Sequence, residues 1–111
     1  MAATQTDTYP AAVRLAPNQV QTIRAAVTEI FGTDASVWLF GSRADLDQRG
    51  GDIDLYVEAP CDAATALQGA GRLYARLQRE LGEQRIDIVT HSPGEPEQAI
   101  HRAARASGVR L

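Results

Sequence analysis

Two short runs of branched and aromatic residues, Ile53 to Val57 and Arg85 to Thr90, frame a segment in which Leu67, Ala70, Tyr74, Leu77 and Leu81 recur at helical spacing. Strand, helix, strand in that order demands a sheet with a helix laid on it. Asp62 suits the helix start and Gly82 its stop, which points the apolar stripe inward and Arg72, Arg76 and Arg79 toward water. Upstream, Val20, Ile23, Val27, Ile30 and Phe31 predict a helix opening at Pro17 and ending at Gly32, and Val37 to Phe40 reads as a strand ending at Gly41. Downstream, "SPGEP" breaks the last strand before a final helix through Ile100, Ala103 and Ala104 that stops near Gly108. The order helix, strand, strand, helix, strand, helix predicts an α/β (α+β) fold, a small mixed sheet of about three to four strands covered by helices. The pattern leaves the direction of each strand open.

The 111 residues hold one domain. Residues 1 to 15 are polar and aperiodic and are expected to form a flexible arm; residues 16 to 111 form the domain. A composition 44% hydrophobic and 23% charged, without repeats, is that of a globular protein rather than a disordered tail. The net charge is -3 and every basic residue is arginine, so no direct nucleic-acid binding is expected. Cys61 is the single cysteine, which excludes an internal disulfide and a multi-cysteine zinc site. No stretch approaches a membrane span and the N-terminus lacks a basic start with an apolar run, so the expected location is cytoplasmic.

Within "GDIDLYV", Asp52 and Asp54 interrupt an apolar strand. Residues two apart on a strand share a face, about 6.6 Å apart along it, with Ile53 and Leu55 on the other face. Asp87 is flanked by Ile86 and Ile88 in the same manner. If the two strands are neighbours, three carboxylates meet. Partly buried carboxylates at close range repel, which calls for protonation or a bound cation. Oxygen ligands suit magnesium, and a pair of ions about 3.5 to 4 Å apart can clamp the attacking and leaving oxygens of phosphoryl or nucleotidyl transfer.

Asp-x-Asp alone is a common pattern, and aspartates near strand ends often only cap turns. The added weight comes from "FGSR" upstream, where a strand turns through Gly41 and Ser42 and exposes backbone N–H groups suited to phosphate. Glycine permits close approach, Ser42 adds a hydroxyl donor and Arg43 a charge. Asp45 and Asp47, beside Arg49, Gly50 and Gly51, read as a solvated turn. P-loop and dinucleotide-binding glycine motifs are absent.

With "GSRADLDQRGGDIDLYV" and "RIDIV" taken together, the chain resembles the minimal nucleotidyltransferases of the DNA polymerase beta-like superfamily, in particular the MntA-type antitoxin domains. The resemblance runs from about Gln19 to Thr90 and rests on Gly41, Ser42, Asp52, Asp54 and Asp87. It implies that Asp52 and Asp54 bind two magnesium ions, and that Asp87 completes the catalytic metal's shell and helps deprotonate the acceptor hydroxyl. It also implies that Gly41 and Ser42 hold the triphosphate of ATP, to which Arg43 could add charge if it points inward. Transfer of AMP to a hydroxyl is then the expected reaction. The implied partner is a HEPN-type RNase toxin, silenced by AMP on a tyrosine, and that partner is expected to complete the acceptor site. Two departures from the family's pattern are Gly51, where many relatives place serine, and a somewhat short loop from Ser42 to Asp52. The alternatives are an antitoxin that neutralises its partner by contact, and a transferase acting on a small-molecule or RNA hydroxyl.

His91, just past a strand, and His101, within a helix, are expected to be structural or solvent-facing. Trp38 is expected to pack in the core or at a dimer face.

Overall fold

The computed structural model describes residues 15–41 and 52–111. Among these residues the chain forms α1 (Pro17–Phe31), β1 (Ser36–Phe40), β2 (Ile53–Glu58), α2 (Ala63–Leu81), β3 (Ile86–His91), α3 (Ala99–Ser107) and β4 (Val109–Arg110). The four strands form one mixed sheet in the order β3-β2-β1-β4. β2 and β3 are parallel, joined by α2, while β1 is antiparallel to both β2 and β4. The expected fold class is therefore the observed one, and the strand directions that the sequence left open are now set.

Local chemistry explains each boundary. Pro17 opens α1, where its missing N–H costs no helical bond, and the Gln19 side chain accepts the Ala16 N–H at 3.0 Å. The Asp62 carboxylate accepts the Thr65 N–H at 2.7 Å, so it caps α2 as expected. At the other end of α2, the Gln78 side chain accepts the Gln84 N–H at 2.9 Å and leads the chain into β3.

One face of the sheet carries Val37, Leu39, Ile53, Leu55, Val57 and Ile86, all buried beneath α1 and α2. On α1 the predicted residues Val20, Ile23, Val27 and Phe31 do face this core. On α2 the expected Leu77 is buried and Leu81 packs against the core, but Leu67 and Tyr74 are one residue past the positions that face inward. The buried positions are Ala66, Gly69, Leu73 and Leu77, whereas Leu67 is 72% and Tyr74 46% exposed. Packing selects the stripe with small residues: a Cβ on Gly69 would stand 2.6 Å from the Phe31 ring, so the close approach of α1 and α2 requires glycine there. Arg76 crosses the same seam and bonds Glu29 on α1 at 2.8 Å and Glu80 at 2.9 Å.

The opposite face is covered at one end by α3. Here too the stripe differs from expectation. Ile100 is 44% exposed, and the residues turned to the sheet are His101 and Ala104. No helix among the described residues is long and apolar enough to cross a membrane.

Candidate active site

The period of two along β2 places Asp52, Asp54, Tyr56 and Glu58 on the α3 face and sends Ile53, Leu55 and Val57, each fully buried, into the core. The parallel register pairs Asp54 with Asp87 and Ile53 with Ile86. The condition set by the sequence, that the two acidic strands be neighbours, is met. Asp54 also lies opposite Phe40 of β1, at the point where that strand ends.

Gly41 follows Phe40 with φ at +74°, a left-handed conformation that glycine adopts without steric cost. Its backbone lies against the Asp54 carboxylate, since a Cβ built on Gly41 would be 2.3 Å from Asp54 Oδ2. The end of β1 and the start of β2 thus converge at one carboxyl group. Ser42 and Arg43, the other residues expected to hold phosphate, lie outside the described residues, as do Asp45, Asp47 and Gly51.

Burial, then the charges of Asp87 and Asp52, then a hydrogen bond with Asp87, push the Asp54 carboxyl above the usual carboxylate range. A divalent cation relieves that repulsion, and the donors are hard oxygens of the kind magnesium takes. In kind the donors suit such an ion, but they are not gathered around one point. Among the described residues no group of three His, Cys, Asp or Glu side chains stands ready to hold a metal. Asp52 has a second neighbour: its Oδ2 lies 3.9 Å from the Nε of Arg85, which sits beside it immediately before β3.

Farther along the same face is a polar cluster that the sequence did not suggest. The fully buried Tyr56 donates its hydroxyl to Glu58. The other Glu58 oxygen meets His91 Nδ1 at 2.7 Å, while His91 Nε2 meets the Glu95 carbonyl at 2.9 Å. Both partners of His91 are acceptors, and the bond to Glu58 first, against the effect of burial, lifts its affinity for a second proton above that of an ordinary imidazole. Arg105 of α3 reaches Glu58 at 3.8 Å and pairs with Glu97. The His101 ring stacks at 4.7 Å from His91 and 5.8 Å from Tyr56, whose ring is 5.3 Å from Trp38. His91 is the last residue of β3 rather than one past it, and His101 is buried rather than solvent-facing. Surface hollows of about 410 and 230 Å3 lie along α1 and beside Arg110, without contact to the carboxylates.

A small mixed sheet that brings carboxylates from two adjacent parallel strands up to a glycine turn is the arrangement of a nucleotidyl-transfer domain. The chain belongs to the nucleotidyltransferase domain family, whose model matches residues 20–107. Among curated proteins no relative matches the chain.

Proposed function

We propose that the protein is a magnesium-dependent adenylyltransferase that moves AMP from ATP to a hydroxyl, and that the acceptor is a tyrosine of a HEPN-type toxin for which it serves as antitoxin. The observation that carries the chemistry is the meeting of Gly41, Asp54 and Asp87, with Asp52 one pleat away. In this reading Asp52, Asp54 and Asp87 would hold two magnesium ions, which would supply the Lewis acidity that in-line transfer needs. Gly41 gives the triphosphate close access to the backbone, and Ser42 and Arg43 contribute a hydroxyl donor and a charge. Asp87 accepts the proton of the acceptor hydroxyl. The hydroxyl oxygen then bonds to the α-phosphorus, and the bond from that phosphorus to the bridging oxygen breaks, so pyrophosphate leaves with the electron pair.

The test incubates the protein with each α-labelled NTP, magnesium and the product of the neighbouring gene, with Asp54→Asn as control. Label from ATP on the partner, lost with the variant, is the expected result. A tight complex without label in any NTP would instead support an antitoxin that acts by contact. That second reading is favoured by one observation, the nearness of Arg85 to Asp52.

A further inference from the structure

Arg85 occupies the carboxylate face without a role in the chemistry above. It lies two positions before Asp87, and strand alternation puts both side chains on the face that carries Asp54. Its backbone is pinned, because the Ile53 N–H donates to the Arg85 carbonyl at 3.0 Å. With Ile53 opposite Ile86, this bond sets Arg85 across from Asp52. The four side chains form a grid, with Asp52 and Arg85 in one row and Asp54 and Asp87 in the next.

The contact between Arg85 and Asp52 is long, at 3.9 Å, and the two side chains are 78% and 51% exposed. A pair of this kind contributes little to folding, so it is poorly explained as a structural fixture. It is well suited to exchange. Guanidinium keeps its charge across the accessible pH range, and the pair is weak enough for a doubly charged ion to displace it. A short, buried pair would instead lock Asp52 away.

We propose that Arg85 is a positioning residue of the transfer site, holding the Asp52 carboxylate apart from Asp54 and Asp87 until a divalent cation takes its place. Arg85 and the cation compete for one carboxylate, so the site closes around its metal only when the metal arrives. This inference rests on the reading of the three carboxylates as a cation site.

The test is titration calorimetry of the full chain with Mn2+ in the absence of nucleotide. Wild type is compared with Arg85→Gln, with Arg72→Gln and with Asp54→Asn. Arg72 is exposed on α2, and its replacement changes net charge equally. Arg85→Gln is expected to bind Mn2+ about three- to fivefold more tightly, on the scale of one exposed ion pair removed, while Arg72→Gln leaves the affinity unchanged. Unchanged affinity in Arg85→Gln overturns the proposal, as does an equal gain in Arg72→Gln, which would reduce the effect to net charge. If Asp54→Asn binds Mn2+ as well as wild type does, the cation site itself has failed rather than the role of Arg85 alone.

Discussion

Replacing Gly41 by alanine separates the backbone requirement of the turn from its service to the site. At φ +74° an L-residue with a Cβ is strained, at a cost of about 1–2 kcal/mol. For a domain near this size each kcal/mol lowers the thermal midpoint by roughly 4–8 °C. The second consequence is local, because the new Cβ would stand 2.3 Å from Asp54 Oδ2 and 3.1 Å from its Cγ. No carbon tolerates the first distance, so either the Asp54 carboxylate or the Gly41 backbone must shift, and the contact between them is lost. Displacing a reacting group by about 1 Å costs on the order of a hundredfold in rate. Gly82 supplies the matched control, for it has φ +87° and nothing within 4 Å of a built Cβ. Both alanine variants should therefore lose thermal stability by circular dichroism, since each places a Cβ at positive φ. Only Gly41→Ala should lose nucleotidyl transfer, by about a hundredfold or more, when α-labelled ATP is assayed well below both midpoints. Full activity in Gly41→Ala, or parallel losses in both variants, would refute the reasoning.

Three further outcomes are expected. Because repulsion and burial raise Asp54 above the ordinary carboxylate range, its ionised form opposes folding; Asp54→Asn should raise the thermal midpoint of the cation-free protein near neutral pH while abolishing transfer, and a lowered midpoint would contradict this. Glu58 first, against the opposing effect of burial, lifts His91 above its usual value of 6.5, so its contribution to stability is complete below about pH 6.5 and is lost as pH rises through the lifted value. The midpoint difference between wild type and His91→Gln should therefore shrink over that rise, and a difference that grows would exclude a protonated His91. Leu73 is fully buried and Leu67 is 72% exposed, so urea denaturation should show a loss of about 2–5 kcal/mol for Leu73→Ala and about 0.5 kcal/mol or less for Leu67→Ala.

The carboxylate face was legible because strand periodicity alone assigns Asp52 and Asp54 to one side and Ile53 and Leu55 to the other. The pairing of Asp54 with Asp87 was not, since it depends on α2 returning the chain to lie parallel beside β2. The error on α2 has a physical source. Leu67 and Tyr74 are one residue after Ala66 and Leu73, about 100° around the helix, and the larger side chains dominate any apolar count. What decides is how closely α2 can approach Phe31, and that selects Ala66 and Gly69, which carry almost no hydrophobic signal. α3 misled for a related reason. It rests on Tyr56, Glu58 and His91, so its inward residue is His101 and Ile100 is left outside. Strand β4, two residues beyond Gly108, is too short to show a period. Arg85 could have been found, because its alternation with Asp87 is visible in "RID".

β2 reconciles the two demands that a carboxylate site makes on so small a domain. Its core face buries Ile53, Leu55 and Val57 completely, so the strand cannot slip by one residue without turning all three to the opposite face. Its other face is fastened at the far end, where Tyr56 and Glu58 are tied to His91 and Arg105. Between these restraints Asp54 has little backbone freedom with which to escape its surroundings, and burial first, then the charge of Asp87, leave it with a raised affinity for protons. A polar group that disagrees with its surroundings survives only where the neighbouring structure over-determines its position. The same rigidity keeps Asp54 in place beside Gly41 and Asp87. Asp52 stands just outside β2, with its side chain half-exposed and 3.9 Å from Arg85, so its position, unlike that of Asp54, is open to the influence of a neighbouring charge.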